Sequence, residues 1–249
     1  MMKAQKAYKD QEFLNSREAR ILRILSEYVA PEAKFKANDV HHTVVFFGSA
    51  RIKPEDNSLG TAEYYLAAQK MAKELAEFSI QLKEETGDNF YICTGGGPGI
   101  MEAANRGARD AGEKTIGLNI SLPFEQYPNP YISDELNMEF HYFFMRKLWL
   151  LYHAKAILVF PGGFGTFDEL FETLTLIQTK KMAKPDISVM LYDSSYWKEL
   201  INFQMLVDKG MISADDLNLF HFFDTVDEGL AFLKPRLKDI IATVDHFIP

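Results

Sequence analysis

One cysteine, Cys93, stands among 249 residues. An internal disulfide is therefore excluded, and a cysteine-based zinc site has no set of donors. The histidines (His41, His42, His141, His153, His221 and His246) form no H-x-x-x-H or H-E-x-x-H pair, so no metal site is expected. No run approaches the roughly 18–20 consecutive apolar residues of a membrane span. The N-terminus, M-M-K-A-Q-K-A-Y-K-D, is polar and does not read as a signal peptide. A cytoplasmic protein without a membrane partner is the expectation. Positive charge is in deficit, 27 Lys and Arg against 35 Asp and Glu, for a net charge of -8. That balance argues against a nucleic-acid partner but leaves room for a local basic pocket holding one small anion. Internal repeats and low-complexity tracts are absent. So is G-x-x-x-x-G-K-[ST], and no segment fits G-x-G-x-x-G cleanly, which disfavours a nicotinamide dehydrogenase.

What is present fits one large α/β domain. Hydrophobic residues make up 47% and charged residues 25%, near the average of soluble globular chains. Residues 11–29 show helical spacing through Phe13, Leu14, Ile21, Leu22, Leu25 and Tyr28, and Pro31 with a charged connector follows. Residues 1–42 are thus read as an N-terminal helical extension, and 43–249 as a single domain. Beyond that point strands and helices alternate. Strands are expected at 44–48, 90–94, 115–120, 139–143, 156–160, 187–192 and 220–223. Helices are expected at 61–78, 98–110, from 143 to about His153, and at 167–179, 196–209 and 226–241, with a proline-bearing loop at 121–133. Repeated β-α units demand a parallel sheet with helices on both faces, a Rossmann-like doubly wound fold. Ligands of such sheets sit beyond the carboxyl ends of the strands.

Two glycine loops fall there. Residues 161–169 read P-G-G-F-G-T-F-D-E, directly after the apolar run 156–160. Gly162, Gly163 and Gly165 let the backbone approach a ligand, and the following helix start offers free N–H groups and a positive dipole end. A phosphate is the expected occupant. Thr166 and Glu169 have the spacing of a capping box, so Glu169 reads either as a helix cap or as a catalytic carboxylate. The second loop, T-G-G-G-P-G at 94–99, contains Gly95, Gly96 and Gly97; its alternative reading is a tight turn that only permits close helix packing. Arg146 and Lys147 open an apolar helix as an anion clamp or as snorkelling side chains. Gly48 and Ser49, in G-S-A-R, end the first strand and add a weaker signal, because Gly-Ser is common turn chemistry. Phe143, Phe144 and Trp149 read as core or as the lining of a base pocket.

With these residues in hand, the chain resembles the LOG family, the cytokinin riboside 5′-monophosphate phosphoribohydrolases formerly labelled lysine decarboxylase-like. Residues 161–169 match every fixed position of the hallmark P-G-G-x-G-T-x-x-E, and T-G-G-G-P-G-I-M-E-A-A-N-R-G-A at 94–108 matches the other glycine segment. The R-K pair is Arg146-Lys147. The segments F-F-M-R-K-L and T-L-I-Q-T-K, with the N-terminal extension, resemble the longer bacterial branch. One departure is that Phe144-Met145 stands before Arg146, where the short plant-like branch usually has Met-His two residues before the pair. The resemblance covers roughly residues 44–192. It implies a Rossmann-like fold, no cofactor, a homodimer or larger assembly, and hydrolysis of a purine nucleoside 5′-monophosphate to free base and ribose 5-phosphate. It implies Arg146 and Glu169 as the catalytic pair. The phosphate and the rest of the substrate are expected at Gly162, Gly163, Gly165, Thr166, Gly95, Gly96, Gly97, Lys147, Gly48 and Ser49. The rival reading is a non-catalytic carrier of a nucleotide or phosphorylated cofactor that uses the same loops.

Overall fold

The computed structural model describes residues 4–56, 58–122, 127–182 and 187–243. Seven parallel strands form one sheet: β1 (Thr43–Phe47), β2 (Tyr91–Thr94), β3 (Thr115–Ile120), β4 (Asn137–Phe140), β5 (Ala154–Val159), β6 (Ser188–Tyr192) and β7 (His221–Phe223). Their spatial order is β4-β3-β2-β1-β5-β6-β7, with every neighbouring pair parallel. The chain thus builds outward from β1 in one direction, returns, and builds outward from β5 in the other. The reversal lies between β1 and β5, and the crevice beyond their carboxyl ends is where a doubly wound sheet receives its ligand.

The apolar runs predicted as strands are strands because both faces are covered. All residues of β1, β3 and β5 are buried. Successive side chains point to opposite faces. Val44, Phe46, Leu158 and Phe160 enter one core with Met71, Leu75, Leu233 and Leu237. Val45, Phe47, Ile157 and Val159 enter the other with Trp149, Leu150, Leu170 and Trp197. Each such fully buried aliphatic side chain is worth about 1.5–3 kcal/mol relative to leaving it exposed.

The helices are α1 (Gln11–Asn15), α2 (Arg20–Ala37), α3 (Ala62–Thr86), α4 (Ile100–Asp110), α5 (Phe143–Tyr152), α6 (Phe164–Gln178), α7 (Ser194–Leu200), α8 (Phe203–Asp208) and α9 (Val226–Thr243). The first core holds α3, α4 and α9, and the second holds α5, α6 and part of α2.

Several boundaries differ from the sequence reading. The predicted helix at 11–29 is two helices, and α2 runs through Pro31 to Ala37. A proline removes the bond to the carbonyl four residues earlier. Here that carbonyl, Glu27 C=O, accepts the Trp149 indole N–H at 3.0 Å instead. α3 continues past residue 78, because Ser79 and Leu82 keep the buried face going. The strand expected at 139–143 lies at Asn137–Phe140, and Phe143 already belongs to α5. The helix expected at 196–209 is interrupted at Ile201, whose backbone is extended, and the Asn202 side chain restarts it by accepting the Met205 N–H at 2.9 Å. Pro123, within the predicted loop 121–133, lies outside the described residues.

Candidate active site

Three loops meet beyond β1, β2 and β5. The hub is Ser49, whose N–H donates to Pro161 C=O at 3.1 Å and whose C=O accepts the Ile100 N–H at 3.0 Å. The weak G-S-A-R signal thus joins both glycine loops. A Cβ on Gly48 would overlap the Ile100 side chain, so this glycine serves close packing. Gly99 caps α4 with φ 70°, and a Cβ there would overlap Ser49 C=O; both the backbone angle and the close approach demand glycine. Gly162 is likewise obligatory, because a Cβ would overlap Thr166 Oγ1 and press on Ser49 N. Gly163 and Gly165 face open space, so their backbone is accessible to a ligand.

The start of α6 corrects the capping-box reading. The N-cap is Gly163, and it has no side-chain cap bond. Thr166 N–H and Phe167 N–H both donate to Gly163 C=O, at 2.9 and 3.1 Å. The N-cap therefore lies three residues before the predicted cap Thr166, and Glu169 projects from inside the helix rather than closing its end. The Phe164 and Gly165 N–H groups, first in the helix, have no intrahelical acceptor and form the anion-seeking end.

Glu169 is instead one half of an ion pair. Arg146 Nη2 lies 3.5 Å from Glu169 Oε1, with the side chains 13% and 7% exposed respectively. The pair is under-satisfied, since Arg146 Nε and Glu169 Oε2 are buried without a hydrogen-bond partner. Buried polar atoms left without partners are rare in folded chains and call for a functional or strain-based explanation. Burial pushes the Glu169 carboxyl up to about 7, against the opposing pull of Arg146 and Lys147. Burial also lowers the Arg146 pKa, though the guanidinium stays charged. A Cβ on Gly95 would lie 3.6 Å from Arg146 Nη1, which puts the second glycine loop directly against the guanidinium. The structure thus brings Gly95, Arg146, Glu169, Thr166, Gly162 and Ser49 into one cluster.

Lys147 sits differently. Its ammonium is clamped by Asp168 at 2.8 Å and Glu172 at 2.6 Å. Burial pulls its pKa down, but the two carboxylate hydrogen bonds outweigh this and raise it. A protonated lysine held this way is a poor nucleophile and already has its anions. Phe143 lies with its ring 5.4 Å from the Arg146 guanidinium carbon and is half exposed, while Trp149 is buried in the core.

Sequence reasoning missed the residues that fix the loops. Tyr196 OH donates to Gly162 C=O at 2.8 Å, across a gap of 34 residues. The buried Asn129 side chain donates to Gly96 C=O and Gly97 C=O, both at 3.1 Å, and to Asn105 Oδ1 at 2.9 Å. Asn105 also accepts from Thr94 Oγ1 at 2.7 Å, and Thr94 Oγ1 accepts the Gly96 N–H at 2.9 Å. This polar network ties down the loop carbonyls of Gly96 and Gly97. Its one sequence signal is a set of short polar residues at strand and helix positions that should be apolar.

A family model described as "Possible lysine decarboxylase" matches residues 101–233, a little over half of the 249 residues. Among curated relatives, a cytokinin riboside 5′-monophosphate phosphoribohydrolase of Oryza sativa subsp. japonica is 25% identical over 190 residues, covering 76% of this chain and 69% of its own. One from Arabidopsis thaliana is 27% identical over 210 residues, 82% of each chain. Among solved structures, the molybdenum cofactor carrier protein of Chlamydomonas reinhardtii superposes with a TM-score of 0.53 at 18% identity, over 79% of this chain and 98% of its own. The molybdenum cofactor binding protein of Rippkaea orientalis gives 0.51 at 16% identity, over 80% and 98%. At those identities the likeness is one of fold. The match over residues 101–233 carries Arg146, the P-G-G-F-G-T-F-D-E loop and Glu169 together, and the chain belongs to the LOG family, whose model bears the lysine decarboxylase description.

Proposed function

We propose that this protein hydrolyses the N-glycosidic bond of a purine nucleoside 5′-monophosphate, AMP or an N6-substituted AMP, releasing free base and ribose 5-phosphate. The observation that carries the reading is the buried pair Arg146–Glu169, with one unpartnered polar atom on each side chain, beside a helix start suited to phosphate. The LOG-family relatives, named as phosphoribohydrolases, support it.

The chemistry follows from the parts. Backbone N–H groups of the loop from Gly162 to Thr166 hold the 5′-phosphate, and this remote binding energy orients the ribose. The C1′–N bond breaks through an oxocarbenium-like sugar, as in glycoside hydrolysis. Glu169, ionised, stabilises that positive charge and takes a proton from the attacking water. The water oxygen bonds to C1′, the bonding pair leaves with the base, solvent water protonates the base as it departs, and Glu169 returns its proton to solvent. Arg146 Nε, with no partner of its own, donates to the ribose hydroxyls or the base. Gly95, Gly96, Gly97, Gly48 and Ser49 shape the opposite wall. Lys147 acts by holding Asp168 and Glu172 rather than by gripping phosphate. In this reading residues 43–249 are the catalytic domain, 1–42 an extension to it, and the working form is a homodimer.

Incubation with AMP and N6-substituted AMP should release base and ribose 5-phosphate, while the unphosphorylated nucleosides should be poor substrates. Tight nucleotide binding without base release from any nucleoside monophosphate would overturn hydrolysis in favour of a carrier.

A further inference from the structure

Glu27, in the N-terminal helix α2, holds the helix that carries Arg146 at two separate points. Its backbone carbonyl is freed by Pro31 and accepts the Trp149 indole N–H at 3.0 Å. Its side chain reaches the start of α5. One carboxylate oxygen accepts the His141 N–H at 2.8 Å, and the other accepts the Tyr142 N–H at 3.2 Å. Tyr142 is the N-cap of α5, and its own side chain makes no cap bond. The neighbouring contacts run the same way. The Arg20 guanidinium lies 5.7 Å from the Tyr142 ring centre, and the Tyr28 and Phe35 rings pack on Trp149 at 5.5 and 5.6 Å.

Arg146 sits between the two anchors, and its own N–H bonds to Tyr142 C=O at 3.2 Å. A carboxylate at a helix start satisfies donors that would otherwise be unpaired and complements the positive dipole end. It also fixes where the first turn begins, and so where the fourth side chain points. Among the described residues the guanidinium has one ion-pair partner, Glu169, at the outer edge of hydrogen-bond reach. Its other neighbours, the Phe143 ring and the Gly95 loop, carry no charge, so the backbone of α5 also sets its position.

We propose that Glu27 is a positioning residue that sets Arg146 against Glu169 through the first turn of α5, making the N-terminal extension part of the active-site assembly. The proposal rests on Arg146 and Glu169 being the reacting pair. Glu27 itself touches no reacting atom.

The test uses Glu27→Ala and Glu27→Gln in the full chain, with two readouts. The first is hydrolysis of AMP. Because a displacement of about 1 Å costs about 100-fold in rate, Glu27→Ala is expected to lower kcat roughly 10- to 100-fold while KM stays within about threefold, the phosphate loop being untouched. The second readout is independent of turnover: titration of the Glu169 carboxyl by 13C NMR. The charges facing Glu169 are Arg146 and Lys147 on α5 and Asp168 and Glu172 on α6. Moving Arg146 away removes an attraction, so Glu169 should titrate at higher pH than in the wild type. Glu27→Gln, with one acceptor oxygen, should fall between. A folded Glu27→Ala with wild-type kcat, or with lowered kcat and an unmoved Glu169 titration, overturns the proposal. If Glu27→Ala does not fold, Glu27→Gln decides by the same readouts. If the wild type releases no base, the hydrolase reading fails, and the Glu169 titration alone decides the positioning.

Discussion

Glu169 is 6% exposed, and burial keeps its proton on until about pH 7. Two consequences pull in opposite directions. Its folded-state pKa lies above the ordinary carboxylate value, so its stability contribution is complete below about pH 4.3 and is lost as pH rises towards 7. The charged form then costs the fold on the order of 3 kcal/mol. Glu169→Gln mimics the protonated acid and escapes that cost. It should melt together with the wild type near pH 4.5 and several degrees higher at pH 8, since ~1 kcal/mol is worth roughly 2–4 °C in a chain of this size. The same substitution removes the charge that hydrolysis needs, and turnover should fall about 10²- to 10⁴-fold. In the wild type, kcat/KM should decline about tenfold per unit below pH 7. Calorimetry across pH and a pH–rate profile check both halves. A pH-independent wild-type rate, or a Glu169→Gln variant that is less stable at pH 8, would sink the assignment. The residue itself was legible in P-G-G-F-G-T-F-D-E. Its environment was not, because a T-x-x-E spacing looks the same whether the helix begins at Phe164 or after Thr166.

At the level of elements, periodicity located six of the seven strands to within about two residues; it did worse where one element stops and another begins. β4 and α5 were blurred because Phe140, Tyr142, Phe143 and Phe144 form an aromatic cluster with no period of its own. α2 was cut short at Pro31, since the compensating donor, Trp149, lies 122 residues from Glu27. The locking of the loop at residues 161–166 was hidden for the same reason. Tyr196 reaches Gly162 C=O from α7, and Asp193 starts α7 by accepting the Tyr196 N–H at 3.2 Å. Asp193 is held in turn by Tyr64 OH at 2.6 Å. Long-range bonds of this kind leave no trace in local spacing. Tyr196→Phe keeps the ring and deletes one hydroxyl, at a net cost of about 0.5–1.5 kcal/mol. Its effect should appear mainly as a higher KM for the nucleoside monophosphate, by roughly 3- to 10-fold, because a loosened Gly162 weakens the phosphate cradle. An unchanged KM would show that the loop holds its shape without the tether.

At the scale of the whole molecule, the chain carries a net charge of -8, yet several large apolar side chains near the site are open to solvent. Phe164 is 93% exposed at the start of α6, with Phe143, Phe144 and Leu148 on α5 and Phe171 on α6 also open to solvent. α2 adds Ile21, Leu25 and Val29, spaced four apart on one face. Isolated exposed apolar residues need no explanation, but helices sharing such residues do. In the proposed homodimer a second copy would cover this surface, with apolar burial working against the repulsion of two chains of like charge. A stable interface needs about 800 Å² from each partner, an area that faces on two or three helices can supply. Light scattering at micromolar concentration should therefore give at least twice the 28.5 kDa of one chain. Association should tighten with added salt, which screens the repulsion and leaves apolar burial intact. Leu148→Glu, on the exposed face of α5, should shift the population towards monomer while leaving the melting of the single chain nearly unchanged. It should also lower turnover if the covered face shields the cleft from water. A wild-type mass of one chain would overturn the dimer and leave Phe164 to be explained as a contact for the base of the substrate.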